Sequence, residues 1–86
     1  MTIRLTDQGF TPDRVEATNG RDLAITLINT GTRAHGFRID HFGIAVSLKP
    51  GERRTVTIAS PDLGDYGYSS DAPGDEGMRG RLTFYI

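Results

Sequence analysis

The chain has no cysteine and no tryptophan among its 86 residues. Without cysteine there is no disulfide, no thiolate nucleophile and no thiolate metal ligand. No run of apolar residues is long enough to read as a transmembrane helix, and Met1-Thr-Ile-Arg-Leu5 lacks the apolar stretch of a signal peptide. Basic excess is missing too. The formal net charge is −1, which argues against binding to nucleic acid or an anionic membrane surface. No phosphate-binding Gly-x-x-x-x-Gly-Lys-Ser/Thr pattern occurs. Ser69, Ser70, His35 and several Asp residues contain the letters of a catalytic triad, but no Gly-x-Ser-x-Gly elbow presents a nucleophile. A single domain spanning residues 1–86 also leaves little room for a substrate cleft. These absences together point away from an enzyme.

Helical periodicity is absent as well, and eleven glycines and four prolines would interrupt it. What the chain has is short alternating runs. Ile3 and Leu5 alternate with Thr2, Arg4 and Thr6, and Gln8 to Pro12 breaks the run. Val15 to Ala17 form a short strand ending at the Asn19-Gly20 turn. Leu23, Ile25 and Leu27 alternate with Ala24, Thr26 and Ile28, the best-defined strand, which Asn29-Thr-Gly31 terminates. Phe37 and Ile39 share a face of the next extended segment. Asp40 to Val46 reads either as loop or as short strand. Lys49-Pro50-Gly51-Glu52 is a turn, Arg54 to Ile58 alternates cleanly, and Ser60-Pro61-Asp62 closes that run. Tyr66, Tyr68 and Ser70 then alternate, a loop follows, and Leu82, Phe84 and Ile86 alternate again. Roughly seven to eight short strands at even spacing predict an all-β sandwich or barrel.

The stretch from Gly64 to Gly80 carries more than a strand pattern. Gly64, Tyr66, Tyr68, Pro73, Gly74, Met78 and Gly80 resemble the C-terminal signature of the cupredoxins, the plastocyanin and azurin family of small copper proteins: Gly-x-Tyr-x-Tyr-x-Cys-x-x-Pro-Gly-His, then Met and Gly. Upstream, Asn29-Thr-Gly31-Thr-Arg-Ala-His35-Gly-Phe37 is similar to the family's Asn-x-Gly-x-x-x-His-x-Phe, Pro50-Gly51-Glu52 to its Pro-Gly-Glu turn, and Phe10 two residues before Pro12 to its Phe-x-Pro. The resemblance covers nearly the whole chain and implies a Greek-key β-sandwich. It also implies four metal-ligand positions: His35, Ser70, Asp75 and Met78.

Two of those four depart from the family. Ser70 stands at the position of the copper-binding Cys and Asp75 at that of the second His. A type 1 site needs two His and a thiolate with a weak axial Met. A serine hydroxyl is neutral and hard, so no blue copper centre is expected here and no cofactor is expected. The expectation is a structural or protein-interaction module. The alternative is a copper or other divalent-metal carrier or sensor using His35, Asp75 and Met78, with His41 as a further donor, or electron transfer as in the intact family. An internal pairing of His35 with Asp75 or Ser70 is the outcome expected of an empty site. Met78, Tyr66 and Tyr68 have a simpler role as packing residues, and His41 as a solvent-facing one.

Acidic residues Asp62, Asp65, Asp71, Asp75 and Glu76 cluster late, while Arg33, Arg38, Lys49, Arg53 and Arg54 dominate the middle. The simplest reading is charges that balance across the sandwich. The sharper one is a hard-cation site from Asp71, Asp75 and Glu76 near His35, or a surface for a basic partner. Phe42 and Ile44 are a candidate docking patch, since the family meets partners through apolar surface near its metal end. The resemblance implies a periplasmic, cell-surface or secreted setting. Sheet edges allow either a monomer or an edge-paired dimer.

Overall fold

The computed structural model describes residues 1–18, 21–59 and 62–85. The Asn19-Gly20 turn, Ser60-Pro61 and the final Ile86 lie outside the described residues. Among those described, nine strands form two sheets. The strands are β1 (Thr2–Thr6), β2 (Gly9–Thr11), β3 (Arg14–Thr18), β4 (Leu23–Asn29), β5 (His35–Ile39), β6 (Ile44–Leu48), β7 (Arg53–Ile58), β8 (Gly64–Ser69) and β9 (Arg79–Tyr85). One sheet has the order β2-β1-β4-β7 and the other β3-β9-β8-β5-β6. The β1–β4 and β3–β9 pairs are parallel.

The all-β sandwich expected from the alternating runs is therefore present, with more strands than the seven to eight expected. The additional strand is β2, in the stretch taken from sequence as a break. Thr6 pairs with Gly9 across the Asp7-Gln8 turn, and the Thr6 hydroxyl donates to the Gly9 carbonyl at 2.9 Å. Backbone pairing holds a three-residue strand that is too short to show periodicity. The ambiguous stretch after β5 resolves into a 3-10 turn, Asp40–Phe42, ended by left-handed Gly43, and then β6.

Period-two alternation places one side of each strand in the core. Ile3, Leu5, Ile25, Leu27, Phe37, Ile39, Leu48, Leu82 and Phe84 are all buried there. Phe10 of one sheet packs edge-on to Phe37 and Tyr68 of the other, with ring centroids 5.9 and 5.0 Å away. Such contacts bridge the two layers directly. The Tyr68 hydroxyl donates to the Pro12 carbonyl at 2.9 Å, and burial, helped by Asp13, pushes its pKa up to about 12.

Tyr68 lies directly across from Gly80 in the β8–β9 ladder, and a Cβ on Gly80 would overlap its ring. Gly67, across from Arg81 on the opposite face, would place a Cβ no nearer than 4.0 Å to any atom, the Gly80 carbonyl oxygen. Gly80→Ala is therefore expected to destabilise by about 1–3 kcal/mol through overpacking. Gly67→Ala is expected to be neutral or stabilising by up to about 1 kcal/mol, because it removes a glycine from a strand interior. Denaturant unfolding of the two variants beside the parent checks the contrast.

Candidate functional site

The four ligand positions implied by the sequence meet at one end of the sandwich, brought there by two turns and one strand start. Asp75 N donates to Ala72 O at 3.1 Å and Met78 N to Asp75 O at 2.9 Å. Each turn has a positive-φ glycine at its third position, Gly74 (φ 89°) and Gly77 (φ 86°), and the first has Pro73 before it. That is type II turn chemistry twice over, and Asp75 is the residue the two turns share. The loop between β8 and β9 is thereby fixed, with Asp75 directed inward and 2 % exposed.

His35 opens β5 and is completely buried. Buried Asn29 positions the approach to it: the side-chain amide donates to Arg33 O and Leu48 O at 2.9 Å each, and Oδ1 accepts from Gly31 N at 2.8 Å. The imidazole Nδ1 lies 2.7 Å from Asp75 Oδ2. Its Nε2 lies 2.9 Å from Asp7 Oδ1. Ser70 Oγ donates to Asp75 Oδ2 at 2.6 Å and accepts from Gly36 N at 2.9 Å. Arg33 Nη2 donates to Asp75 Oδ1 at 2.7 Å and to Gly74 O at 3.2 Å. The pairing of His35 with Asp75 expected of an empty site is present, and Ser70 joins it through the same carboxylate. Met78 is buried in the apolar core cluster.

Asp7, in the β1–β2 turn, was not a sequence candidate. It reads there as an ordinary turn residue, and nothing in its neighbourhood signals a partner 28 positions away. Its carboxylate accepts from Thr32 N at 3.0 Å and Thr32 Oγ1 at 2.6 Å besides facing His35. Gly31 permits this, since a Cβ there would strike both Asp7 and His35.

Other expectations fare differently. Asp71 reaches Arg38, at 3.4 Å, and not His35. Glu76 is exposed. Among the described residues no three His, Cys, Asp or Glu side chains are arranged to hold a metal ion. His41 is exposed but packs edge-on against Phe42 and at a tilt against Tyr66, with ring centroids 5.0 and 4.7 Å away. The docking patch is not beside the ligand positions. Ile44 pairs with Ile39 while His35 pairs with Leu48, so the two ends of β5 separate them, and Phe42 and Ile44 are only half-exposed.

Electrostatics follow from these contacts. Asp7 is held well below the ordinary carboxylate range by hydrogen bonds from the Thr32 side chain, then His35 and the Thr32 backbone. Burial works to raise Asp75, but hydrogen bonds from Ser70, His35 and Arg33 outweigh it and the net shift is downward.

A type 1 copper centre does not fit this donor set. No thiolate is present, Ser70 contributes a neutral hydroxyl already committed to Asp75, and both His35 nitrogens face carboxylates.

A two-layer β-sandwich with His35, Ser70, Asp75 and Met78 grouped at one end is the architecture of a cupredoxin. The sequence model of the family described as the cupredoxin-like domain matches residues 1–84. The chain belongs to that family. A search of curated proteins finds no match. Among solved structures, a dithionite-reduced auracyanin from Roseiflexus castenholzii is similar at TM-score 0.83 and 18% identity, covering 99% of this chain and 95% of its own. The metal binding domain of the Cu(I)-exporting P-type ATPase CopA of Streptococcus pneumoniae, with Cu(I), is similar at 0.87 and 16%, covering 100% and 84%. A purple cupredoxin from Nitrosopumilus maritimus is similar at 0.73 and 15%, covering 98% of each chain. These likenesses establish the fold. No helix among the described residues is long and apolar enough to cross a membrane.

Asp75→Asn is expected to cost about 3–5 kcal/mol, the scale for breaking a buried charge pair on one side. The pH dependence has a definite sign. Both carboxylates are depressed in the folded state, so the unfolded chain binds more protons in acid. Their contribution is fully present above about pH 4, near the ordinary Asp value, and is lost as pH falls through the folded values. Unfolding measured from pH 7 to pH 2 should show a shallower acid limb in Asp75→Asn than in the parent.

Proposed function

We propose that this chain is a cupredoxin-like domain that keeps the fold without a type 1 copper centre and serves as a non-catalytic structural or protein-interaction module. The observation that supports it most is the closure of the ligand end: His35 and Ser70 both bond Asp75, with Arg33 and Asp7 completing the set. A metal entering there would have to displace a network that already engages both His35 nitrogens, both Asp75 oxygens and the Ser70 hydroxyl. Phe42 and Ile44, half-exposed at the far end, offer an apolar contribution to partner contact. The family resemblance favours a periplasmic, cell-surface or secreted setting.

A second reading has one observation in its favour, the likeness to the Streptococcus domain that holds Cu(I). On that reading His35, Asp75 and Met78 act as a copper carrier or sensor site after the carboxylate contacts open. Soft Met and borderline imidazole suit Cu(I), while the carboxylate does not.

Titration of the metal-stripped protein with Cu(II), with Cu(I) under reductant and with Zn²⁺ separates the two. The module reading expects no stoichiometric binding, no intense visible band and an unchanged melting temperature. One-to-one binding that raises the melting temperature and vanishes in His35→Ala would establish the carrier reading instead.

A further inference from the structure

The outer face of the five-stranded sheet contains two local concessions at one spot. Arg14 and Arg81 stand directly opposite each other across the parallel β3–β9 pair, on strands about 4.7–4.9 Å apart, where like charges opposite each other are destabilising. Among the described residues neither makes an ion pair within 4.0 Å, nor does Arg79 two residues along β9. Beside Arg81 the next strand presents Gly67. A glycine inside a strand weakens it and marks a place where a ligand or another backbone approaches. No turn or close packing requires glycine here, because Gly67 lacks a positive φ and a Cβ on it would meet nothing nearer than the Gly80 carbonyl oxygen at 4.0 Å, an ordinary van der Waals contact.

Together these residues shape a trough of about 400 Å³ floored by Gly67 and walled by the three arginines, with Asp13 and Asp65 at its rims. Asp65 is held by the Thr83 hydroxyl, which donates to its Oδ1 at 2.6 Å. By contrast, Arg38 on the same face is neutralised by Asp40 and Asp71, at 2.7 and 3.4 Å.

We propose that this trough is a docking surface for a segment of a protein partner that lays an acidic side chain between Arg14 and Arg81. A carboxylate placed there meets two guanidinium groups that can donate in paired fashion, and its arrival relieves the repulsion between them. Bare Gly67 leaves space for the partner's backbone to lie on the sheet. The rim carboxylates disfavour a long acidic run and select a segment whose flanking residues are polar or basic. The proposal rests on the interaction-module reading and supplies its partner chemistry, at a surface separate from the ligand end.

The test is fluorescence anisotropy with a labelled synthetic peptide, Lys-Ser-Glu-Ser-Glu-Ser-Lys, at ionic strength near ~0.15 M, with the binding residues mapped by amide shifts. Binding is expected to perturb Arg14, Gly67, Arg79 and Arg81. Arg81→Glu and Gly67→Glu are each expected to weaken it by ~10-fold or more. In the second variant the introduced carboxylate faces Arg81 and takes the partner's place. Arg53→Glu, on the other sheet, should leave binding unchanged. The proposal is overturned by equal loss in Arg53→Glu, which means unspecific charge attraction. No loss in either trough variant, or no binding at all, also overturns it. So does inorganic phosphate producing the same shifts with equal affinity, which makes this a small-anion site. Metal titration is indifferent to all of these outcomes, so a failed trough and a failed module reading remain distinguishable.

Discussion

A carboxylate with no exposed surface is the constraint on which this end of the molecule depends. Asp75 has a side-chain exposure of 0%, and a buried unpaired charge is too costly to persist. Its two oxygens instead take hydrogens from Arg33 and Ser70 and face His35. His35 in turn faces Asp7. Three connections, β1–β2, β4–β5 and β8–β9, are thereby tied at one point. In a copper cupredoxin the metal has that crosslinking position. Here charge pairs and hydrogen bonds supply it, and the net energy is that of a buried network compared with its desolvation.

The scaffold makes this closure possible through ordinary turn and packing chemistry. Two type II turns around Gly74 and Gly77 direct Asp75 inward, and Asn29 anchors the chain that brings Arg33 and His35 to it. Gly31 leaves room for Asp7 to reach the ring. Behind them, Phe10, Phe37 and Tyr68 lock the sheets together, so the loops rest on a rigid base. The outer face of the five-stranded sheet shows the reverse pattern. There Arg14 and Arg81 face each other across one pair of strands, with Gly67 beside Arg81 on the next.

Much of this was legible in the chain itself. Alternation in Leu23 to Ile28, in Arg54 to Ile58 and around Tyr66 and Tyr68 identified strands because one face of each is buried. Strand β2 was hidden because three residues cannot display a period and its pairing is backbone-driven. His35, Ser70, Asp75 and Met78 were found through family motifs, and a pairing of His35 with Asp75 or Ser70 was the outcome expected of an empty site. The structure pairs His35 with Asp75, while Ser70 bonds the carboxylate and not the imidazole. Asp7 was invisible because a turn aspartate has a sufficient local reason to exist, and only the folded register brings Asp7 to Thr32 and His35. Phe42 and Ile44 were misplaced relative to the ligand end, since the length and direction of β5 decide which pole they occupy.

The central claim is that the ligand end is chemically closed by its own side chains. The most direct measurement is the ring ¹⁵N spectrum of His35 before and after one equivalent of Zn²⁺ or Cu(I). Two ring nitrogens in carboxylate contact, with signals unmoved by either metal, are the predicted result. A ring nitrogen whose signal shifts stoichiometrically on adding metal would contradict the account and return this domain to the metal-binding members of its family.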